Sequence, residues 1–281
     1  MNEKLTPAEA AMYREQGFYV PRFRFDAADT AKLKSRVDRL IGRHPELHNK
    51  SIPDILQIDA DEEGYNREFM EFARRPELLD MAESILGPDL IAWTGTVFHK
   101  PAEIGYETKW HQDGAYWPMD PMATVSVWIA VTDSAIDNGC LRVIPRSQSR
   151  RYPHVTLPNV EFHQSVSPDA MDETQAVDIE LEAGQMLLFD SMLIHGGRAN
   201  TGRRERSNFT IRYMPSTSWF DYDLMREHDY VRDPTTPPYS RKKIYLVRGV
   251  NRCARNDLRR NQPPHWDPET FVREAARLAG G

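Results

Sequence analysis

The spacing of apolar residues changes near residue 89. Before that point, apolar residues recur every three or four positions, which is typical of amphipathic helices. Thr6-Pro7-Ala8-Glu9 is a capping box with proline at the first helical position, so a helix is predicted there that ends at Gly17. Further helices are predicted over 26–41, 66–74 and 76–86, with a short strand over 18–20.

From residue 90 onward, short β-branched and aromatic runs are separated by Pro, Gly, Asn and Asp, as in strands joined by turns. Strands are predicted over 90–99, 123–132, 141–144, 176–181, 185–189 and 207–213. The polar interval 147–174 is predicted to be a loop or lid, and a short helix is predicted over 269–278. Helices followed by a run of strands predict an α+β fold built on an antiparallel barrel or jelly roll.

Composition narrows the function classes. The net charge is −6, from 36 basic and 42 acidic residues, which gives no indication of nucleic-acid binding. Two cysteines cannot form a disulfide framework. The N-terminal segment lacks the apolar stretch of a signal peptide, and no apolar run approaches the ~20 residues of a membrane span. A cytoplasmic protein without a membrane partner is therefore expected, and its oligomeric state is left open.

The candidate chemistry lies in His111-Gln112-Asp113 and a distant His195. On an extended segment, residues i and i+2 point the same way, so His111 and Asp113 can converge while Gln112 points away. A histidine from a remote strand would complete the two-His-one-carboxylate set of non-haem iron(II) oxygenases. His195 is predicted to lie on an apolar strand and precedes two glycines, which let the backbone turn close to a metal. The other seven histidines are expected to be ordinary surface or hydrogen-bonding residues.

A candidate anion clamp lies downstream of His195. Arg206 lies eleven residues after His195, and arginine binds carboxylates through two parallel hydrogen bonds. An oxygenase of this kind needs electrons from a second substrate, and the far carboxylate of a 2-oxo diacid would need such a clamp. Rivals for this position are Arg198, Arg203, Arg204 and Arg212.

With these residues in place, the chain resembles the phytanoyl-CoA dioxygenase family of iron(II)- and 2-oxoglutarate-dependent oxygenases over residues 6–214. Trp110-His111-Gln112-Asp113 is similar to the family's H-x-D segment. The runs 125–131, 138–141 and 143–145 are similar to its central strands, and His195-Gly196-Gly197 with Arg206 is similar to its distal half.

The resemblance implies a fold and a domain plan. The fold would be a double-stranded β-helix, a cupin-like jelly roll, with the N-terminal helices packed outside. One domain would span 1–281, with a helical part over about 1–88, the core over about 89–215 and a C-terminal extension over about 216–281.

The resemblance also implies roles for individual residues. His111, Asp113 and His195 would bind Fe(II), and Arg206 would hold the 2-oxoglutarate side carboxylate. Trp128 and Thr96 would line the 2-oxoglutarate pocket. O2 and 2-oxoglutarate would be consumed, releasing succinate and CO2, and a substrate would be hydroxylated.

Two departures from the family pattern bear on these expectations. Arg146-Ser147-Gln148-Ser149 stands where the family often has Gly and His, which affects the expected lid. Gly197 stands where a small hydroxylated residue is often found, so Thr210 is a candidate to supply the hydrogen bond to 2-oxoglutarate that such a residue would make.

Related halogenases have Ala or Gly at the position of Asp113, so a carboxylate there argues against halogenation.

The substrate is expected to be a small molecule, and an anionic or zwitterionic one is a hypothesis based on nearby arginines. The candidate substrate contacts are Tyr116, Trp117, Arg142 and Arg212. Desaturation, epoxidation or ring formation would use the same triad and remain alternatives. A non-catalytic metal- or ligand-binding jelly roll is the alternative of another class, and it predicts zinc or no metal. A structural zinc site would usually need a fourth protein ligand, and no cysteine is expected near the triad to supply it.

Overall fold

The computed structural model describes residues 3–53, 55–56, 65–157, 164–223 and 242–258, and the fold is given for these ranges. Four α-helices have defined bounds: α1 (Pro7–Gln16), α2 (Ala27–Arg43), α3 (Tyr65–Ala73) and α4 (Pro76–Leu86). The strands are β1 (Phe18–Tyr19), β2 (Ser51–Ile52), β3 (Leu90–Lys100), β4 (Thr108–His111), β5 (Met119–Asp120), β6 (Val125–Ala130), β7 (Leu141–Val143), β8 (His154–Thr156), β9 (Gln164–Val166), β10 (Val177–Ile179), β11 (Met186–Asp190), β12 (His195–Gly197), β13 (Arg206–Pro215), β14 (Trp219–Phe220) and β15 (Tyr245–Arg248).

Local sequence signals account for the helix ends. The Thr6 hydroxyl accepts a hydrogen bond from the Glu9 backbone, and the Glu9 carboxylate accepts one from the Thr6 backbone, so the predicted capping box is present. Gly17 adopts φ 82°, the left-handed conformation that ends α1. The predicted bounds of α4 agree with the structure, and those of α2 and α3 differ by one or two residues.

The larger sheet carries seven antiparallel strands in the order β1-β11-β6-β13-β3-β15, with β2 also paired to β3. Its outer face packs against the helices, where Leu33 and Val37 of α2 and Leu78 of α4 join Val97 and Phe209 in one buried cluster. This apolar outer face is the reason that the helices lie outside the jelly roll, because each amphipathic helix buries its apolar stripe there.

The smaller sheet carries four strands in the order β10-β7-β12-β4. Its apolar side chains pack with the inner face of the larger sheet, where Trp128 and Phe189 meet Val143 and Ile179. The α+β jelly-roll prediction is confirmed. The space between the two sheets is where β4, β12 and β13 bring their polar side chains.

Some predictions of secondary structure need correction. The interval 147–174, predicted to be a loop or lid, contains the paired strands β8 and β9 in its described part. The prediction for His195 placed it on an apolar strand, but a turn separates β11 from the short strand β12. The helix predicted over 269–278 lies outside the described residues. In the described ranges, no helix combines the length and the apolar character that crossing a membrane requires.

Candidate active site

Strand pairing in the smaller sheet brings His111 and His195 together. The two residues are direct partners in the register of β4 and β12, and their ring centroids lie 4.2 Å apart. Both side chains are almost fully buried. Residues that are 84 positions apart in the chain (111 and 195) therefore meet because one antiparallel ladder places them opposite each other.

Asp113 reaches the same point from the turn that follows β4. This turn is a single 3-10 turn over Asp113–Ala115, and Gln112 before it is still extended. Gln112 points away from the histidines, as predicted, and its amide bonds the carbonyls of Arg150 and Met192 and the backbone N–H of Tyr152. Gln112 thereby holds the segment around 150–152 against the turn.

The hydrogen bonds of the two histidines define which ring nitrogen faces the centre. The Nδ1 atoms of His111 and His195 lie 2.7 Å and 3.0 Å from the carbonyls of Lys109 and Leu193. A carbonyl only accepts, so Nδ1 carries the proton and the Nε2 lone pair is directed inward. Burial, reinforced by the neighbouring His111, lowers the pKa of His195 to about 3, so its imidazole is neutral, as a metal ligand requires.

The donor set fits a divalent metal ion. One ligand atom from each of His111, Asp113 and His195 can be chosen so that all lie within 4.8 Å of one another. The two Nε2 atoms lie 3.6 Å and 3.9 Å from the Asp113 carboxylate oxygens. Two imidazoles and one carboxylate on one side of a point form the facial arrangement of non-haem iron(II) sites.

The prediction that no cysteine lies near the triad needs correction. Cys140 lines the same cavity as His111 and His195. Burial, with Asp178 and Glu180 nearby, raises the pKa of its thiol to about 11, and Cys140 is not part of the metal-binding group. The closed four-ligand geometry of a structural zinc site is therefore not formed by these residues.

Asp113 is held by a second buried charge, Arg212. Arg212 Nη2 lies 3.2 Å from Asp113 Oδ2. Burial by itself would raise the pKa of Asp113, but Arg212 and the two histidines outweigh it and hold this pKa well below its usual range. The guanidinium also donates to the Thr96 hydroxyl at 3.0 Å and lies over the Trp117 ring.

Arg206 begins a row of polar side chains on the inner face of β13. Its Nη1 donates to Asn208 Oδ1 at 2.5 Å, and Asn208 donates to the Thr210 hydroxyl at 2.9 Å. The Arg206 guanidinium lies over the ring of Trp128 on the adjacent strand β6. Alternation along a strand puts residues i, i+2 and i+4 on one face, which is why this row lines the cavity.

One cavity joins the histidines to this row. It encloses about 420 Å³, including the part open to solvent, and its lining includes His111, His195, Trp128, Arg206, Thr210 and Arg212. The structure therefore brings together the predicted metal ligands and three of the four residues predicted to contact 2-oxoglutarate. The fourth, Thr96, accepts from Arg212 and is not among the residues that line the cavity.

The predicted substrate contacts are placed differently from one another. Arg142 is not among the residues that line this cavity and pairs with Glu173 at 2.8 Å and Asp178 at 3.1 Å, so its role as a substrate contact stays a prediction. Tyr116 and Trp117 follow the turn over Asp113–Ala115. The ring centroids of Trp117 and Trp93 lie 4.7 Å apart. Burial, with Asp113 nearby, raises the pKa of Tyr116 well above its usual range.

Burial separates Arg206 from its rivals. Arg198, Arg203 and Arg204 are exposed, and Arg198 and Arg204 pair with acidic residues at the surface. Arg206 and Arg212 are both buried on β13. Only these two of the five arginines can meet a ligand inside the jelly roll.

Sequence reasoning missed several residues of the cavity wall, among them Phe98, Thr108, Leu141 and Phe189. Phe98 could have been found, because it lies two positions after Thr96 on the same strand and so on the same face. Phe189 and Leu141 carry no polar signal, so their sequence pattern resembles that of ordinary core residues.

With this geometry described, comparison with known proteins identifies the family. The family model "Phytanoyl-CoA dioxygenase (PhyH)" matches residues 13–208, so the chain belongs to that family. The resemblance seen in the sequence is thereby confirmed, and so is the expected class of enzyme at the level of the family, non-haem iron(II)- and 2-oxoglutarate-dependent oxygenases.

Similarity to individual proteins is more distant. The "Phytanoyl-CoA dioxygenase domain-containing protein 1 homolog" of Dictyostelium discoideum is 29% identical over 56% of this chain and 58% of its own length. The chain likewise spans 65% of the length of the human peroxisomal phytanoyl-CoA dioxygenase.

Solved structures of similar shape include the apo form of the non-haem monooxygenase ThoJ, which is 24% identical with a TM-score of 0.66, covering 95% of this chain and 94% of that one. The epimerase SnoN, in complex with Fe3+, α-ketoglutarate and nogalamycin RO, is 20% identical with a TM-score of 0.62, covering 76% of this chain and 84% of that one. At these identities, the two structures show the fold.

Proposed function

We propose that this chain is an Fe(II)- and 2-oxoglutarate-dependent dioxygenase that hydroxylates a small organic substrate. The overall reaction consumes the substrate, 2-oxoglutarate and O2, and yields the hydroxylated substrate, succinate and CO2. The observation that carries the proposal is one cavity with two chemically different ends. His111 and His195, which Asp113 joins in the metal-binding group, line one end, and Arg206 lines the other.

At the metal end, His111 and His195 would bind Fe(II) through Nε2, and Asp113 through a carboxylate oxygen. The backbone carbonyls that accept from both Nδ1 atoms fix the ring orientation and leave Nε2 facing the metal position. Bound iron(II) supplies the activation of O2 that none of these side chains can provide. SnoN, which shares the fold, binds both iron and α-ketoglutarate, and this supports the same pair of cofactors here.

At the other end, Arg206 would bind the far carboxylate of 2-oxoglutarate through two parallel hydrogen bonds. Asn208 accepts from Arg206 Nη1 and Trp128 lies beneath the guanidinium, so the orientation of the clamp is set before a ligand arrives. Thr210 would add a hydroxyl hydrogen bond on the same face, as Gly197 has none to offer.

The substrate proposal stays at the level of a small organic molecule. The hypothesis of an anionic or zwitterionic substrate has less support than the sequence indicated, because Arg142 and Arg212 each pair with carboxylates of the chain.

We also propose that the core over about 89–215, the preceding helices and the C-terminal extension form a single domain over 1–281.

The test is anaerobic titration of the Fe(II) protein with 2-oxoglutarate, followed by its visible spectrum. A metal-to-ligand charge-transfer band is expected for the wild type, a reduced one for Arg206→Ala and none for His195→Ala. Iron that binds without this band would exclude 2-oxo acid chelation and favour the non-catalytic alternative. Product analysis after aerobic turnover would then separate hydroxylation from desaturation, epoxidation or ring formation.

A further inference from the structure

Arg212 forms a buried ion pair with Asp113 and a hydrogen bond with Thr96. Its Nη2 lies 3.2 Å from Asp113 Oδ2 and its Nη1 3.0 Å from Thr96 Oγ1. The side chains of Arg212 and Asp113 are 9% and 10% exposed, so this ion pair is shielded from water. A buried charge pair with additional hydrogen bonds is held in one geometry far more firmly than a surface pair.

The two oxygens of the Asp113 carboxylate have different surroundings. Oδ1 lies 3.6 Å from His111 Nε2, whereas Oδ2 lies 3.9 Å from His195 Nε2 and also accepts from Arg212. A guanidinium donor on Oδ2 favours metal binding through Oδ1 alone. A carboxylate bound through both oxygens would occupy a position that the facial triad otherwise leaves open.

A β-bulge explains how Arg212 itself is supported. In the ladder of β13 and β3, Arg212 pairs with Thr94 and Tyr213 with Ala92, so Trp93 is an extra residue on β3. Bulges change the direction of side chains and occur next to active sites. Trp93 packs edge-to-face on Trp117 at 4.7 Å, and the guanidinium of Arg212 lies 5.1 Å from the centroid of the Trp117 ring.

We propose that Arg212 is a positioning residue that orients Asp113 as a single-oxygen metal ligand, rather than a substrate contact. The inference rests on the proposed function, because it takes the triad to be the metal site. Thr96 acts with Arg212 by accepting from its second nitrogen, which differs from the 2-oxoglutarate contact expected from the sequence.

The test is a titration of the metal-free protein with cobalt(II), followed through the d–d absorption bands, which report both affinity and coordination. Removal of a residue that orients a metal ligand typically weakens metal binding 10- to 100-fold. Arg212→Met is therefore expected to raise the Kd for cobalt(II) by about tenfold or more and to change the band intensity. Arg212→Lys keeps the charge without the planar fork and should fall between Arg212→Met and the wild type.

Arg36→Met is the matched control, since it removes another buried arginine that pairs with a carboxylate, that of Glu71, and it lies on α2 outside the cavity. Its Kd for cobalt(II) is expected to equal that of the wild type. Unchanged or tighter cobalt(II) binding by folded Arg212→Met would overturn the inference. The repulsion between the guanidinium and the metal cation would then be at least as large as any gain in affinity from orienting Asp113. If Arg212→Met does not fold, the Kd for cobalt(II) is measured in Thr96→Val instead. We expect this Kd also to rise, and an unchanged Kd would overturn the inference.

The outcome can be separated from failure of the proposed function. Cobalt(II) binding that depends on Arg212, with no charge-transfer band when 2-oxoglutarate is added to the Fe(II) protein, would exclude the dioxygenase but support the role of Arg212. A wild-type protein that binds no cobalt(II) would overturn both.

Discussion

Two arginines on one strand differ in what they contact. Arg206 and Arg212 lie six residues apart on the inner face of β13, and both are more than nine-tenths buried. Arg206 donates to the neutral amide of Asn208 and lies over Trp128. Arg212 donates to the charged carboxylate of Asp113 and lies over Trp117. Residue type and burial are alike, so the roles that we propose, a 2-oxoglutarate clamp for Arg206 and an orienting residue for Arg212, rest on their different partners.

The cavity follows the same division. At the end proposed to bind the metal, His111 and His195 line the cavity, and Asp113 and Arg212 form an ion pair beside them. Its other end contains Arg206 beside neutral side chains of β13. An anionic co-substrate would therefore place its far carboxylate at the Arg206 end and its chelating atoms at the triad. The following predictions test this division.

The largest effect is expected from His195→Ala. Loss of one of three ligands should abolish measurable cobalt(II) or iron(II) binding at micromolar protein, and with it any charge-transfer band. The matched control is His99→Asn, which changes a buried histidine outside the triad and should keep wild-type metal affinity. Retention of metal by His195→Ala would show that the ion binds elsewhere.

The second effect concerns the Arg206 end. A hydrogen bond to a charged group contributes roughly 1.5–3 kcal/mol, so Arg206→Met should weaken 2-oxoglutarate binding about 10- to 100-fold. Binding of 2-oxopentanoate, which lacks the far carboxylate, should hardly change. Isothermal titration calorimetry of the metal-loaded protein with each acid measures the ratio of the two dissociation constants in the wild type and in Arg206→Met.

Arg142→Met is the control for charge alone, since Arg142 pairs with Glu173 outside the cavity. It is expected to leave both affinities as in the wild type. Equal losses for the two acids in Arg206→Met would mean that Arg206 shapes the cavity without binding the carboxylate.

A smaller effect is expected from Gly197→Ala. An added Cβ would lie 3.1 Å from the carbonyl oxygen of Cys140 and 3.3 Å from Lys100 Nζ, so these neighbours must give way slightly. We expect 2-oxoglutarate binding to weaken by a few fold, on the order of 1 kcal/mol, while metal affinity is unchanged. Gly42→Ala, whose Cβ would meet no atom within 4 Å, is the control. A loss of metal binding in Gly197→Ala would contradict the separation of the two ends.

The last prediction concerns the stability of the fold rather than the site, and it follows from the protonation of His99. Burial lowers the pKa of His99 to about 4, and its Nδ1 lies 2.7 Å from the Ser207 hydroxyl. The unfolded chain takes up this proton near pH 6.5, so the free energy of unfolding should fall as pH drops from about 6.5 towards 4. Denaturant titrations across this range should show that the free energy of unfolding depends less steeply on pH in His99→Asn than in the wild type. An identical dependence in both proteins would assign it to other groups.

The sequence by itself determined the elements and the donor set. The capping box at Thr6, the apolar period of α2 and the β-rich stretch after residue 90 are local signals, and the structure agrees with them closely. His111, Asp113 and Arg206 were found because their spacing has a chemical meaning that is independent of the rest of the fold. The family and the jelly roll followed from those motifs.

Only the tertiary structure decided which charged side chains meet. Arg142 and Arg212 carry the same signal in the sequence, yet Arg142 pairs with Glu173 and Asp178 while Arg212 pairs with Asp113. The bulge at Trp93 and the direct pairing of His111 with His195 depend on register between strands far apart in the chain. Partners of this kind follow from long-range pairing, which local composition does not encode, so the use of each buried charge could be assigned only after folding.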